Sequence, residues 1–164
     1  MNLKWRISLF IIFAVTLAAD ILTKLAIKAN LEYLQSITVI DGFFYIVHVL
    51  NPGAAFGFLR NMDDAYRQMF FVIVTSAAII GIFILMVREK RKFPSVAYLL
   101  VISGACGNLI DRIHTGLVVD FLDFQLGPTY HWPAFNVADI CITVGIGLLI
   151  IDALFFSKQE KINK

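Results

Sequence analysis

Two aspartates in the C-terminal third of the chain, Asp120 in Val118-Val119-Asp120-Phe121 and Asp139 in Asn136-Val137-Ala138-Asp139, sit in apolar sequence that has little use for a charge. Asp139 begins the stretch 137–156, long enough to cross a bilayer. An ionised Asp in a spanning helix costs about 2.5 to 3.5 kcal/mol on insertion scales, so such residues usually serve a pathway, a structural pair or chemistry. Two carboxylates sharing one site cannot both ionise easily, so one keeps its proton near neutral pH while the other acts as a base. That division is what an aspartic hydrolase requires. The ionised member takes a proton from water as it attacks a carbonyl, and the protonated member hydrogen-bonds the carbonyl oxygen and then assists the leaving amine. Asp139 also has a structural reading: with Asn136 as N-cap it stands at N3, where a carboxylate gains about 0.3 to 1 kcal/mol from the helix dipole and reaches back to the cap.

The elements that must position these carboxylates follow from composition. With 59% hydrophobic and 16% charged residues in 164, the chain is too apolar for an ordinary soluble domain and belongs to the integral-membrane class. Four stretches, about 7–29, 69–87, 93–110 and 137–156, approach the length needed to cross a hydrocarbon core roughly 30 Å thick. Helices are required, because open strand edges in lipid leave backbone groups unpaired. The first stretch resembles a secretory signal peptide, with Lys4 and Arg6 before an apolar run, but apolar periodicity resumes after Asp20 with Ile21, Leu22, Leu25, Ala26 and Ile27. It reads as a helix carrying two charges through its outer half. A single domain over 1–164 is expected.

Of the 14 Lys and Arg, Lys4, Arg6, Arg88, Lys90, Arg91, Lys92, Lys158, Lys161 and Lys164 fall on one side of a four-span arrangement. Both termini are then cytoplasmic, and segments 30–68 and 111–136 lie outside. No basic patch interleaved with aromatics suggests nucleic acid. Cys106 and Cys141 fall inside expected helices and read as buried reduced thiols.

In the first outer segment, two β-prone runs flank Asp41-Gly42 between Ser36 and Leu50, a short hairpin signal that predicts a small sheet. Both faces of the second run are apolar, which suits a strand lying in the membrane interface or against the helices. Asn51-Pro52-Gly53 then makes a turn, the small-residue run 54–58 is compatible with a short surface helix, and 60–64 reads as a solvated loop.

Counting from Ile7 at about 1.5 Å per residue puts Asp20 about 20 Å into the membrane, in the outer leaflet, with Lys24 about 6 Å further out. Their i,i+4 spacing puts them on one face, as a structural ion pair or as direct participants. The third span ends Ser103-Gly104-Ala105-Cys106-Gly107-Asn108-Leu109-Ile110-Asp111-Arg112. Its glycines suit close helix contact, Asn108 an interhelical hydrogen bond, and Asp111 and Arg112 solvated helix-end charges. Asp152 reads as an interfacial end charge. The argument for function is convergence, since charges and amides from three helices all reach the outer surface, where Asp120 can meet them.

Five segments together carry a resemblance: Asp20-x-x-x-Lys24, Asn51-x-Gly53-Ala54-Ala55-Phe56, Gly107-Asn108-x-x-Asp111-Arg112, Val118-Val119-Asp120-Phe121 and Phe135-Asn136-x-Ala138-Asp139. In order and spacing they resemble the motif set of bacterial lipoprotein signal peptidase, signal peptidase II. The resemblance implies an α-helical membrane protein with four transmembrane helices, an extracytoplasmic β-sheet cradle and a short surface helix. It also implies an aspartic endopeptidase of the bacterial inner membrane that acts on diacylglyceryl-modified prolipoproteins and cuts just before the lipidated cysteine. Carried over by motif, Asp120 and Asp139 match the catalytic dyad, and Asp20, Lys24, Asn51, Gly53, Asn108, Arg112 and Asn136 match positions that support the dyad or contact substrate. Leu50 stands where many members place a polar or charged residue. No cofactor or metal is expected, the partners are the lipoprotein substrates and membrane lipids, and a monomer is expected.

Other classes fit less well. His48, His114 and His131 form no metal-binding spacing, and no Gly-x-Ser-x-Gly accompanies Ser103. A small proton-coupled transporter or channel subunit relaying through Asp20, Lys24 and Asp139 is the alternative. Relays, however, need polar groups through the membrane depth, and the cytoplasmic halves of the four stretches nearly lack them.

Overall fold

The computed structural model describes residues 3–53, 62–125 and 132–156. Within them, four helices are long and apolar enough to cross a membrane: α1 (Leu3–Asn30), α2 (Asp64–Arg88), α3 (Lys92–Thr115) and α4 (Val137–Ile151), the last continued by a π-helical turn, Asp152–Phe156. The helices outrun the apolar stretches. α2 begins at Asp64, where the Asp63 carboxylate accepts the Ala65 N–H at 2.9 Å, and α3 runs on through Thr115 to a left-handed cap at Gly116. Residues 111–115, expected in the outer connection, are therefore helical. Hydropathy marks only what lipid can cover, whereas a helix continues until a cap satisfies its last backbone groups.

α3 is the central helix, packed against α4, α2 and α1. α2, by contrast, has no buried residue among those described and packs chiefly against α3. The small residues do what their size permits. A Cβ on Gly145 would come within 2.7 Å of the Ala97 carbonyl oxygen, so α4 and α3 touch backbone to backbone there. Gly104 and Gly107 make the same approach toward the Ala138 carbonyl and the Asp20 carboxylate respectively.

The hairpin forms as expected, with β1 (Ser36–Ile40) antiparallel to β2 (Phe44–Asn51) across a turn in which Gly42 has φ +70°. A third strand, β3 (Val118–Phe124), completes an antiparallel sheet of order β1-β2-β3. This strand was not anticipated, and it carries Asp120. Phe135 bonds back to Leu122 alongside β3, so the chain enters α4 immediately beside Asp120. The sheet sits on the C-terminal end of α1 through a core of Ile27, Leu31, Val119 and Phe121, and Leu50 packs against that core. An apolar residue at position 50 is thus part of the seam between sheet and bundle. β1 is exposed throughout, Ile37, Val39 and Ile40 included. The surface helix compatible with 54–58 lies outside the described residues, as do Arg60, Asn61 and His131.

Two end charges differ from expectation. Asp152 is buried rather than solvated, and Arg91 grips both its oxygens at 3.0 and 2.8 Å while also holding Glu89. Asp111 is buried as well, paired with Lys24 at 3.0 Å and Lys28 at 3.6 Å. In both cases a cation from another helix or turn replaces the water that a solvated end would use.

Candidate active site

Nine residues singled out in sequence meet at one end of the bundle, brought there by five elements. β3 supplies Asp120, and the start of α4 supplies Asn136 and Asp139. β2 and its exit supply Asn51 and Gly53, α3 supplies Asn108 and Arg112, and α1 supplies Asp20 and Lys24.

Asp120 is 2% exposed, and each of its oxygens accepts a side-chain amide: Asn136 Nδ2 at 2.7 Å and Asn51 Nδ2 at 2.9 Å. The sheet register explains the second contact. Asn51 pairs with Val118 and Val49 with Asp120, so the Asn51 side chain reaches diagonally to the carboxylate. Asn51 is itself held by the Gly53 N–H, which donates to its Oδ1 at 2.8 Å. Gly53 has φ +82°, and a Cβ there would run into the Phe71 ring, so both backbone and space call for glycine. Burial, with the neighbouring Asp139 adding to it, pushes the Asp120 carboxyl up to about 6, against the hydrogen bonds from Asn51 and Asn136 and the charge of Lys24.

Asp139 is half-buried and closes a full capping box. Its N–H donates to Asn136 Oδ1 at 2.9 Å, and its Oδ2 accepts the Asn136 N–H at 3.2 Å. Its Oδ1 faces elsewhere and accepts Asn108 Nδ2 at 2.8 Å. The capping role and a place beside Asp120 therefore coexist: one oxygen serves the helix and the other the site. Asn136, fully buried, ties the two acids together.

Behind the amides lies a buried ion-pair network. Lys24 Nζ reaches Asp20 Oδ2 at 2.8 Å, Asp111 Oδ2 at 3.0 Å and Asn108 Oδ1 at 3.0 Å. Arg112, on the α2 side, places its guanidinium 5.2 Å over the Phe71 ring and feels the charges of Asp139, Asp120 and Asp111. Its Nε finds no hydrogen-bond partner among the described residues. Arg112 is thus a second cation facing the acids and not a solvated helix end. An apolar cavity of about 280 Å³, lined by Trp132, Phe135, Ile140, Thr143 and Val144, opens at Asp139.

Comparison with known proteins decides what this arrangement belongs to. The family model for signal peptidase II matches residues 12–155. The chain belongs to the signal peptidase II family. It is 47% identical over 152 residues to a lipoprotein signal peptidase of Geobacter metallireducens, covering 92% of both chains. With that of Maridesulfovibrio salexigens it shares 48% over 143 residues, 86% of this chain and 91% of the other. Among solved structures it resembles a bacterial membrane enzyme determined by the in meso method at 1.9 Å, with TM-score 0.79, 33% identity, and coverage of 92% of this chain and 94% of that one. As a member of the signal peptidase II family it is a membrane-embedded aspartic endopeptidase, and the transporter alternative has no support.

Within this family member, Asp111 is the site-forming residue that sequence reasoning undervalued. A signal was present: Asn108 and Asp111 are three apart on a helix and so share a face. Both turn to Lys24.

Proposed function

We propose that this signal peptidase II removes the signal peptide from diacylglyceryl-modified prolipoproteins, hydrolysing the peptide bond on the N-terminal side of the lipidated cysteine, with Asp120 and Asp139 as its catalytic dyad. The observation that carries this reading is the meeting of two carboxylates from distant segments in one buried amide network, joined by Asn136. Asp120, the more deeply buried acid, keeps the proton, and Asp139, beside the first amides of α4 and Arg112, serves as the base. Asp139 takes a proton from water as the water attacks the carbonyl carbon preceding the cysteine. Asp120 donates its hydrogen bond to the developing oxyanion, and the cysteine amine leaves with a proton from the pair. The titration belongs to the two acids jointly.

A signal peptide arrives as a helix, and its scissile stretch must unwind where water is scarce, so the exposed backbone needs new partners. Arg112, whose Nε has no hydrogen-bond partner among the described residues, and the amide-rich rim at Asn51 suit that task. The two acyl chains stay in the bilayer, where each buried CH₂ contributes roughly 0.8 kcal/mol to retention. In this reading residues 1–164 form one integral-membrane domain of the bacterial inner membrane, acting as a monomer with both termini cytoplasmic and the dyad near the outer face.

The test is incubation of the purified protein with a lipidated and a non-lipidated precursor peptide. Cleavage of only the lipidated one, just before the cysteine, is the expected result, and equal cleavage of both removes the substrate assignment.

A further inference from the structure

The three asparagines around the dyad are useful only in one orientation, because an amide rotated by 180° exchanges its donor for its acceptor. Two are oriented by partners from their own stretch of chain that can play a single role. The Gly53 N–H can only donate, which turns Asn51 Oδ1 toward it and leaves Nδ2 for Asp120. The Asp139 N–H does the same for Asn136, and the Val119 carbonyl, 3.3 Å from Asn136 Nδ2, reinforces it. Asn108 lies inside a helix and has no such local partner among its hydrogen bonds.

We infer that Lys24 is a positioning residue for the reaction: its ammonium, which can only donate, holds Asn108 Oδ1 and thereby presents Asn108 Nδ2 to Asp139. This rests on the reading of Asp139 as the catalytic base. The geometry points to a fixed assignment. Lys24 Nζ donates a hydrogen bond to Asn108 Oδ1 at 3.0 Å and ion-pairs with Asp20 Oδ2 at 2.8 Å and Asp111 Oδ2 at 3.0 Å. Rotating the Asn108 amide would set its Nδ2 against the Lys24 ammonium and its Oδ1 against Asp139 Oδ1, replacing two attractions by two repulsions. Asn136 Nδ2, which has two N–H donors, gives one to Asp120 Oδ1 at 2.7 Å and also donates to Asn108 Oδ1 at 3.1 Å, so it supports the same orientation of Asn108. Lys24, 84 residues away in sequence, supplies the charged and the shorter of these two contacts to Asn108 Oδ1. With Asn108 held, all four oxygens of the dyad receive an N–H donor. The charged groups facing Asp139 are Asp120 from β3, Arg112 from α3 and, through Asn108, Lys24 from α1; on its own helix it faces the N-terminal amides.

The test measures kcat and KM against pH for the full-length enzyme with a lipidated precursor peptide. Removing Lys24 alone takes a counter-charge from two buried carboxylates, Asp20 and Asp111, so Asp111→Asn serves as reference and is combined with Lys24→Met or with Lys24→Gln. The two double variants carry the same charge and differ in whether position 24 can donate. We expect Lys24→Met/Asp111→Asn to lose about 100-fold in kcat with KM changed less than about threefold, and its acid limb to move to higher pH as Asp139 loses a donor to its charged form. Lys24→Gln/Asp111→Asn should recover at least about tenfold of that loss, with the limb returned. Equal losses in the two double variants, or a methionine variant that keeps the reference kcat and limb, overturn the inference. A second readout is the Nδ2 proton pair of Asn108 in enzyme labelled at asparagine, compared between wild type and Asp139→Asn: one proton should shift, and no shift overturns the inference. Turnover retained in Asp139→Asn would instead refute the dyad, whereas a dead Asp139→Asn beside unaffected Lys24 variants refutes only the role of Lys24.

Discussion

Asp20 Oδ1 accepts the backbone N–H of Ala138 at 2.8 Å, so the first helix closes the start of the last one across 118 residues of chain. The free N–H groups that begin α4 are shared between its own Asn136 and an aspartate of α1. The other Asp20 oxygen faces Lys24 at 2.8 Å, and Gly107 leaves the space that the carboxylate fills. Asp20 is thus a joint between the helix that bears Asp139 and the cation that orients Asn108.

Removing that joint has a defined cost. Asp20→Ala leaves the Ala138 N–H unpaired in a buried site and takes one acceptor from Lys24, and an unsatisfied buried group costs about 1 to 3 kcal/mol. A fall in thermal stability in detergent is expected, with Asp20→Asn, which can still accept from Ala138, closer to wild type. Identical melting of Asp20→Ala and the parent would contradict the joint.

Replacement of either acid removes proton chemistry while conserving shape. Asp120→Asn and Asp139→Asn should each lower cleavage of a lipidated precursor by at least about 1,000-fold, with membrane insertion and abundance nearly unchanged. Near-normal turnover in either variant would exclude the aspartic mechanism on these residues.

Substrate holding separates rim from loop. Asn51→Ala and Arg112→Ala should reduce turnover by about 100-fold, the order seen when one preorganised donor is lost, with folding intact by circular dichroism. Changes within 60–64 should have only a mild effect. Unchanged turnover in both rim variants would make this region scaffold.

The pH dependence follows from Asp120, whose carboxyl is pushed from 3.8 to about 6, chiefly by burial. Folded protein therefore binds this proton more tightly than unfolded protein does. The stability from this group is fully present below the unfolded value and is lost as pH rises through about 6. Activity that needs the protonated acid declines over the same window. Asn51→Ala, by removing a donor that favours the charged form, should move that decline to higher pH in a pH–rate profile. A downward or absent shift would show that another group sets the limb.

Topology is open to direct measurement. A reporter fused after Lys164 should report cytoplasm and one inserted near Asn61 the outside, because nine basic residues lie on one side of the expected spans. The reverse pattern would put the dyad on the wrong membrane face for the proposed substrate.

Much of this molecule was legible in the chain because the bilayer imposes a simple rule: long apolar stretches must become helices, so the four spans and the charges inside them stand out. The Asp41-Gly42 hairpin was legible for a similarly local reason, since a short turn needs positive φ where glycine stands. The capping box at Asn136 and Asp139 is also written within four consecutive residues. What sequence could not decide was every relationship closed by distant segments. β3 becomes a strand because β2 and Phe135 offer it partners, and that pairing brings Asp120 to Asn51 and Asn136. Asp111 and Asp152 look like solvated ends until Lys24 and Arg91 arrive from elsewhere in the fold. Whether Asn108 shows Asp139 a donor or an acceptor depends on an ammonium 84 residues away and an amide 28 residues away. Local propensity acts over a few residues, whereas the cost of an unpaired buried charge or amide is settled only when the helices pack, and that settlement decides which groups of this site face one another.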